Sequence, residues 1–495
     1  MNLATIVDGH PDDAVALVSR GEPTTYGSLR ALVAGARGGL AAQGIGAGDR
    51  VALLCGNTRH FVVAYLAALG LGAVAVPLNP FDPAAALEHE LSEVAAGLIV
   101  VDGNGADAWS SVDRARVPSV RSVVAAGTDI ERAAASLDEL AASAPVPVID
   151  RDAGDLAVLL FTSGTAGAPR AAMLTHGNLL ANIGQSAVDG GIGASDVVYC
   201  VLPLHHVFGL NVALGQTLAG GGSIVLVQRF DPATAIETIA ERGVTVVPGA
   251  PPMWLAWAAF ADATAESFAG VRLALTGAAP MPAETIHSFE ERFGLVLREG
   301  YGLTEAAPVV TTSVGIPIRA GSVGRVVPGV EVRLVDGDGS DVLAGDPGEI
   351  WVRGPNVFAG YWNDAEATAR VLDPQGWLHT GDVAVVDDAG YLWLVDRAKD
   401  LIIVSGFNVY PAEVEEVLAE HSGVAEAAVV GVAHPHTGEA VKAYVVAKPG
   451  VELFEEQLVR HCADHLARYK CPTKVLVVLE LPRNASGKLL RRILR

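Results

Sequence analysis

Leu156-Ala-Val-Leu-Leu-Phe-Thr-Ser-Gly-Thr-Ala-Gly-Ala-Pro-Arg170 reads as a buried apolar strand running straight into a turn of hydroxyls and small residues. Small residues let a backbone approach an anion closely, and successive amides and hydroxyls in such a turn can cradle phosphate. This is not the P-loop NTPase turn: no Gly-Lys-Ser/Thr follows, and Pro169 blocks the helix start which that motif requires. Glycine, serine and threonine also dominate ordinary loops, so the stretch alone establishes a strand and a candidate anion-binding loop.

On either side, apolar strand-like runs alternate with helical segments. Arg50-Val-Ala-Leu-Leu, a helix before Gly70, Ala73-Val-Ala-Val-Pro and Gly97-Leu-Ile-Val-Val precede the loop; Ser223-Ile-Val-Leu-Val, Val244-Thr-Val-Val-Pro and Arg272-Leu-Ala-Leu-Thr follow it. The rhythm predicts an α/β fold with largely parallel sheets in two stacked subdomains. Near residue 320 the texture changes to short alternating strands with Asp-Gly and Pro-Gly turns, an antiparallel subdomain. Pro411 then opens a helix with acids in its first turn, followed by the strand-like runs Ala427-Ala-Val-Val-Gly-Val and Ala443-Tyr-Val-Val. The expected division is a large N-terminal domain, 1–396, of two α/β subdomains plus an antiparallel β subdomain, and a small α+β C-terminal domain, 397–495.

A chain of 495 residues, 51% hydrophobic and 18% charged, has ample material for packed cores and is not a disordered composition. A net charge of -22 argues against a nucleic-acid partner, so any phosphate must be met by backbone amides, a metal ion and a few placed cations. Cys55, Cys200, Cys462 and Cys471 lack metal-site spacing and read as free thiols of a reducing, cytoplasmic setting. The N-terminus lacks the basic and apolar regions of a signal peptide. The uncharged run Phe61 to Leu78 is broken by Gly70 and Gly72 and reads as buried helix then strand, not an integral membrane segment. Trp254 and Trp257 share one helix face, as core or as pocket wall. A homodimer is left open.

Five motifs occur in order: Thr162-Ser-Gly-Thr-Ala-Gly-Ala-Pro-Arg, Tyr301-Gly-Leu-Thr-Glu, Trp377-Leu-His-Thr-Gly-Asp, Asp396-Arg-Ala-Lys-Asp and Pro482-Arg-Asn-Ala-Ser-Gly-Lys. Together they resemble the adenylate-forming superfamily of acyl-CoA synthetases, luciferases and nonribosomal adenylation domains, and they span nearly the whole chain. The resemblance implies an acid–thiol ligase using ATP, Mg2+ and coenzyme A, with a mobile C-terminal domain. It assigns ATP or AMP to Thr162, Ser163, Gly164, Thr165, Gly167, Arg170, Gly277, Ala278, Ala279, Glu299, Gly300, Tyr301, Gly302, Thr304, Asp382, Arg397 and Lys488. Within that set Tyr301 lies by adenine, Thr304 bonds the α-phosphate, Glu305 holds Mg2+, and Asp382 with Arg397 meets the ribose. Lys488 bridges the reacting carboxylate and the α-phosphate. His206 joins Lys488, Glu305 and Thr304 as a catalytic candidate, and His206, Val207, Phe208 and Gly277 line the acyl pocket. Lys399 marks the hinge, and Ser405, Gly406 and Phe407 line the pantetheine tunnel. Each role suits its chemistry: a carboxylate suits Mg2+ on phosphates, two acceptor oxygens suit a vicinal diol, and a cation stabilises charge shared between two reactants.

The phosphate loop departs from the family's usual form. Arg170 and Ala171 stand where Lys-Gly is common, and Ala166 stands where a second Thr is common. Amino-acid-activating relatives carry an Asp near the start of the region matched by His205 to Gly209, but Leu204-His-His-Val-Phe-Gly-Leu-Asn-Val-Ala-Leu has no acid. A buried ammonium would be costly there, so an apolar tail is expected rather than an amino acid. Ser405-Gly-Phe-Asn-Val-Tyr-Pro also resembles bacterial fatty acyl-CoA synthetases, and a fatty acid of medium or long chain is the expected substrate. The alternatives are an acyl-carrier-protein ligase and an aryl-CoA ligase. From other classes come a non-catalytic nucleotide or acyl-CoA binder, and a membrane-docked importer, for which the sequence carries no apolar or basic patch. His205-His206 and His434-Pro-His lack the further ligands of a metal site.

Overall fold

The computed structural model describes the chain apart from residues 163–168, 188–189, 280, 282, 398–401, 405–406, 410, 435–437, 467, 484–488 and 495. Only the backbone is described at 283, 396, 397, 403, 407, 408, 438 and 492. Packing divides it into two compact units, one of residues 1–331 and 352–378, the other of 332–351 and 379–495.

The first unit holds two α/β sheets. In the seven-stranded sheet the order is Ala135–Ser136, Ser122–Ala126, Leu98–Asp102, Arg50–Leu54, Val74–Pro77, Leu156–Thr162, Arg170–Thr175. Every pair is parallel except the last, an antiparallel hairpin that closes the edge. The run read as helix then strand is the helix Arg59–Gly70 and the strand Val74–Pro77. Their residues are mostly fully buried, which is why the run carries no charge. Among the described residues no helix is long and apolar enough to cross a membrane.

The nine-stranded sheet has a parallel centre, ordered Leu297–Gly302, Leu273–Thr276, Val246–Gly249, Val197–Cys200, Ser223–Leu226, Val15–Ser19. Antiparallel strands finish both edges: Glu22–Thr25 on one, Val309–Thr312 and Arg325–Val326 on the other. These edge strands belong to the α/β sheet; the separate sheet expected from the turn-rich texture near 320 begins at Glu331. Trp254 and Trp257, on the helix Pro251–Ala259, are wholly buried with ring centroids 5.3 Å apart. Phe268 and Phe289 pack around them, so the pair is core.

The helix Ala84–Glu93 carries a carboxyl in an apolar setting. Glu90 is 5% exposed, and its Oε2 has no hydrogen-bond partner among the described residues. Burial, and then Asp82 and Glu93, push it up from 4.5 to about 8. The folded protein therefore keeps a proton that the unfolded chain releases near 4.5, and stability should fall as pH rises from there to about 8, then level off. Glu90→Gln should flatten that slope. Thermal midpoints of both proteins across the window check it, and parallel curves would contradict it.

The second unit contains most of a four-stranded sheet ordered Glu331–Val335, Gly348–Arg353, Leu378–Val386, Leu392–Arg397. Its other sheet is ordered Phe407–Val409, Ile402–Val404, Gly438–Ala447, Val424–His434, with Lys474–Val478 parallel to Gly438–Ala447. The helices Pro411–Glu420 and Glu455–His465 contribute Val414, Leu418, Leu458 and Cys462 to its core. The helix begins at Pro411, where a missing amide costs nothing.

Candidate active site

Parallel register aligns the ends of two central strands in the first unit, with Leu275 opposite Arg298 and Thr276 opposite Glu299. Gly277-Ala278-Ala279 therefore leave the sheet at its carboxyl edge, where α/β sheets place their ligands, beside Gly300-Tyr301-Gly302, which continue the neighbouring strand in antiparallel pairing with Val309–Thr312. A β-carbon on Gly277 would lie 3.4 Å from Cε1 of Phe208 and 3.7 Å from the Gly300 carbonyl oxygen. These are ordinary contact distances, so the three segments lie against one another here. Ala278 is held at φ +70°, a conformation costly for a residue with a β-carbon. Burial pushes the Glu299 carboxyl up to about 7, while its carbonyl accepts from both N and Oγ of Ser313 at 2.9 Å. Tyr301 is buried, and its amide donates to Thr311 Oγ1 at 3.3 Å.

Thr304 and Glu305 open a single 3-10 turn, Thr304–Ala306. Four buried asparagines hold its surroundings through backbone groups. Asn356 Nδ2 donates to the Ala306 carbonyl at 2.8 Å, and Asn211 Nδ2 to that of Ala307 at 2.8 Å. Asn182 donates to the Val309 carbonyl at 2.8 Å and accepts from its amide at 3.1 Å. Asn178 donates to the carbonyls of Pro355 and Val357. Each such bond satisfies a backbone group that burial would otherwise leave costly, so the turn has little freedom.

The chain at 359–362 lies along the strand Arg170–Thr175: Met173 N donates to Gly360 O at 2.9 Å, Ala359 N to Met173 O at 2.9 Å, and Trp362 N to Ala171 O at 2.8 Å. This brings Tyr361 to Glu305, where its phenol donates to Oε1 at 2.7 Å. Burial first, then the Glu305 charge, push the Tyr361 phenol far above its ordinary value. Phe358 N also donates to the Glu305 carbonyl at 2.9 Å.

Thr162 and Arg170 are register partners across the hairpin, so the two ends of the phosphate loop are adjacent. Ser163, Gly164, Thr165 and Gly167 lie outside the described residues. Arg170 Nε pairs with Asp364 Oδ2 at 3.0 Å, and its guanidinium carbon stands 5.8 Å from the Tyr361 ring centroid. The planar fork of arginine suits this paired, ring-facing position better than a lysine point charge.

His206 and Phe208 follow a turn anchored from the other sheet. Asn57 Nδ2 donates to the carbonyls of Cys200, Leu202 and Val227, and its Oδ1 accepts from Leu204 N at 3.0 Å. Phe208 N donates to His206 Nδ1 at 3.2 Å, so the ring proton of a neutral His206 sits on Nε2. Burial lowers His205 to about 3, and it stays neutral. Phe208–Gly215 is a buried π-helix, preceded by the buried Val207; its one side-chain polar group, Asn211, is taken up by the carbonyls of Leu179 and Ala307. Among the described residues no group of three or more His, Cys, Asp or Glu is placed to hold a metal.

In the second unit Asp382 is the cross-strand partner of Arg397, pairing the two residues expected at ribose. Asp382 is 8% exposed, and its amide donates to Thr380 Oγ1 at 3.1 Å. Gly381 takes φ +71°, and its amide donates to Glu349 Oε1 at 3.0 Å. Of Arg397 and Phe407 only the backbone is described; Lys399, Ser405, Gly406 and Lys488 lie outside the described residues.

The sequence reading missed Asn57, Asn178, Asn182, Asn211, Asn356 and Tyr361. Asparagines in apolar runs such as Val207 to Leu214 were the available signal, since a buried amide must find partners.

Comparison with known proteins places the chain. The family described as AMP-binding enzyme matches residues 3–362, and the AMP-binding enzyme C-terminal domain matches 413–488. A (methyl-dioxo-octahydroindenyl)propanoyl:CoA ligase of Mycobacterium tuberculosis is 37% identical over 98% of this chain and 96% of its own length. A long-chain-fatty-acid–CoA ligase of Escherichia coli O157:H7 is 37% identical over 98% and 91%. The crystal structure of ATP-bound MatB from Rhodopseudomonas palustris is 34% identical and superposes with a TM-score of 0.92, covering 100% of this chain and 98% of that one. The chain belongs to the AMP-binding, adenylate-forming enzymes and is an AMP-forming acid–CoA ligase.

Proposed function

We propose that this ligase activates a medium- or long-chain fatty acid. A carboxylate oxygen attacks the α-phosphorus of ATP, and the bond to the β-phosphate oxygen breaks, giving acyl-AMP and pyrophosphate. The coenzyme A thiol then attacks the acyl carbon; the C–O bond to AMP breaks, the thiol proton passes to solvent, and acyl-CoA and AMP leave. The observation that carries the substrate class is the uncharged stretch Val207–Gly215, buried except for the half-buried Phe208, which lies against Gly277. It offers an acyl tail apolar contact and offers an ammonium group nothing.

The remaining roles belong to the same proposal. Gly277 to Ala279, Glu299 to Gly302 and Thr304 receive the nucleotide with the loop from Thr162, and Asp382 with Arg397 receives the ribose. Lys488 bridges carboxylate and α-phosphate. Rotation at Lys399 of residues 397–495 against 1–396 exchanges the two half-reactions and brings Ser405, Gly406 and Phe407 to the thiol. Glu305 fits Mg2+: it is a half-buried carboxylate with one oxygen anchored by Tyr361, and Oε2 takes no hydrogen bond among the described residues. Bound there, Mg2+ would neutralise phosphate charge. The proposed setting is cytoplasmic.

The experiment is AMP release with and without coenzyme A over a panel of acids. Turnover should require coenzyme A, and kcat/KM for aliphatic acids should exceed that for hydroxycinnamates by at least about ten-fold. The reverse order would move the assignment to aryl acids, and turnover with a carrier protein alone would replace coenzyme A.

A further inference from the structure

We infer that Tyr361 is a positioning residue for adenylation, its phenol fixing the Glu305 carboxylate with Oε1 occupied and Oε2 left for the divalent cation that accompanies ATP. This rests on the proposed metal-binding role of Glu305.

The hydrogen bond is short, 2.7 Å, and joins a phenol donor to a carboxylate acceptor. An exposed glutamate samples many rotamers and must be ordered each time a cation binds. Here the ordering is built in. Tyr361 is itself held from several sides: its amide donates to Thr368 Oγ1 at 2.9 Å, its ring meets Phe358 edge-on at 5.0 Å, and Arg170 stands beside it, paired to Asp364. The same stretch of chain binds Glu305 twice, since Phe358 N takes its carbonyl and Tyr361 its carboxylate. Because residues 359–362 also hydrogen-bond the strand that leaves the phosphate loop, one strap ties the loop's exit to Glu305. Groups that orient a metal ligand from outside the coordination sphere typically change metal affinity by about 10- to 100-fold when removed.

The test is Tyr361→Phe, which deletes one oxygen and keeps the ring packing. Two readouts are needed: the Mg2+ dependence of acid-dependent ATP–pyrophosphate exchange, and Mn2+ binding followed by electron paramagnetic resonance with ATP present and no acid. The variant should need about ten-fold more Mg2+ for half-saturation and bind Mn2+ correspondingly more weakly. KM for the acid at saturating Mg2+ and the thermal midpoint should stay close to those of the parent. Unchanged metal dependence in both assays overturns the inference, as does a loss confined to stability or to KM for the acid. Glu305→Gln separates the two layers: if it too leaves metal dependence unchanged, the metal-binding reading of Glu305 fails; if it alone weakens metal binding, only the positioning role fails.

Discussion

Lys488→Ala should lower acid-dependent ATP–pyrophosphate exchange by about 10³-fold, while transfer of a supplied acyl-AMP to coenzyme A stays within about two-fold of the parent. During adenylation, negative charge is shared between the attacking carboxylate and the α-phosphate, and a cation spanning both acts only while that bond forms. In thioester formation the charge develops on the acyl carbonyl oxygen and then on the departing AMP, and the proposal has residues 397–495 rotated by then. Lys488 lies outside the described residues, so the expectation comes from the motif Pro482 to Lys488, where the match to the C-terminal domain ends. Equal loss of both half-reactions would remove its assigned role.

Glu305→Gln should cost about 10²-fold in exchange at ordinary Mg2+, with part of the loss recovered as Mg2+ is raised. The amide keeps the shape and an acceptor for Tyr361 but removes the charge that attracts a divalent ion. Rate measured against Mg2+ concentration checks this. A variant as active as the parent at every Mg2+ concentration would place the metal elsewhere.

Much of the fold was legible because burial on both faces leaves a local trace. Arg50–Leu54, Leu98–Asp102 and Leu156–Thr162 are apolar runs bounded by turn residues; the first two are buried parallel strands, and the third is parallel to Val74–Pro77 on one side and antiparallel to Arg170–Thr175 on the other. The pairing of Asp382 with Arg397 could be guessed only through motif order; strand register supplies the physical reason, since the turn between the two strands sets which residues face. The partners of the asparagines were not legible. Asn182 reaches Val309, and Asn178 reaches Pro355, across sequence separations that no local pattern encodes. Tyr361 was silent for the same reason: its meaning lies in Glu305, 56 residues earlier. Arg170 read as a phosphate-facing cation, because a sequence shows charge but not the nearby Asp364 that takes it up.

The central claim is that the acid's own oxygen joins AMP. Single-turnover reaction of a carboxyl-labelled oxygen-18 fatty acid with ATP and coenzyme A, read by mass spectrometry of the phosphorus products, tests it directly. One labelled oxygen is expected in AMP and none in pyrophosphate, because the acyl carbon, not phosphorus, is attacked in the second step. Unlabelled AMP, or label in inorganic phosphate, would contradict it.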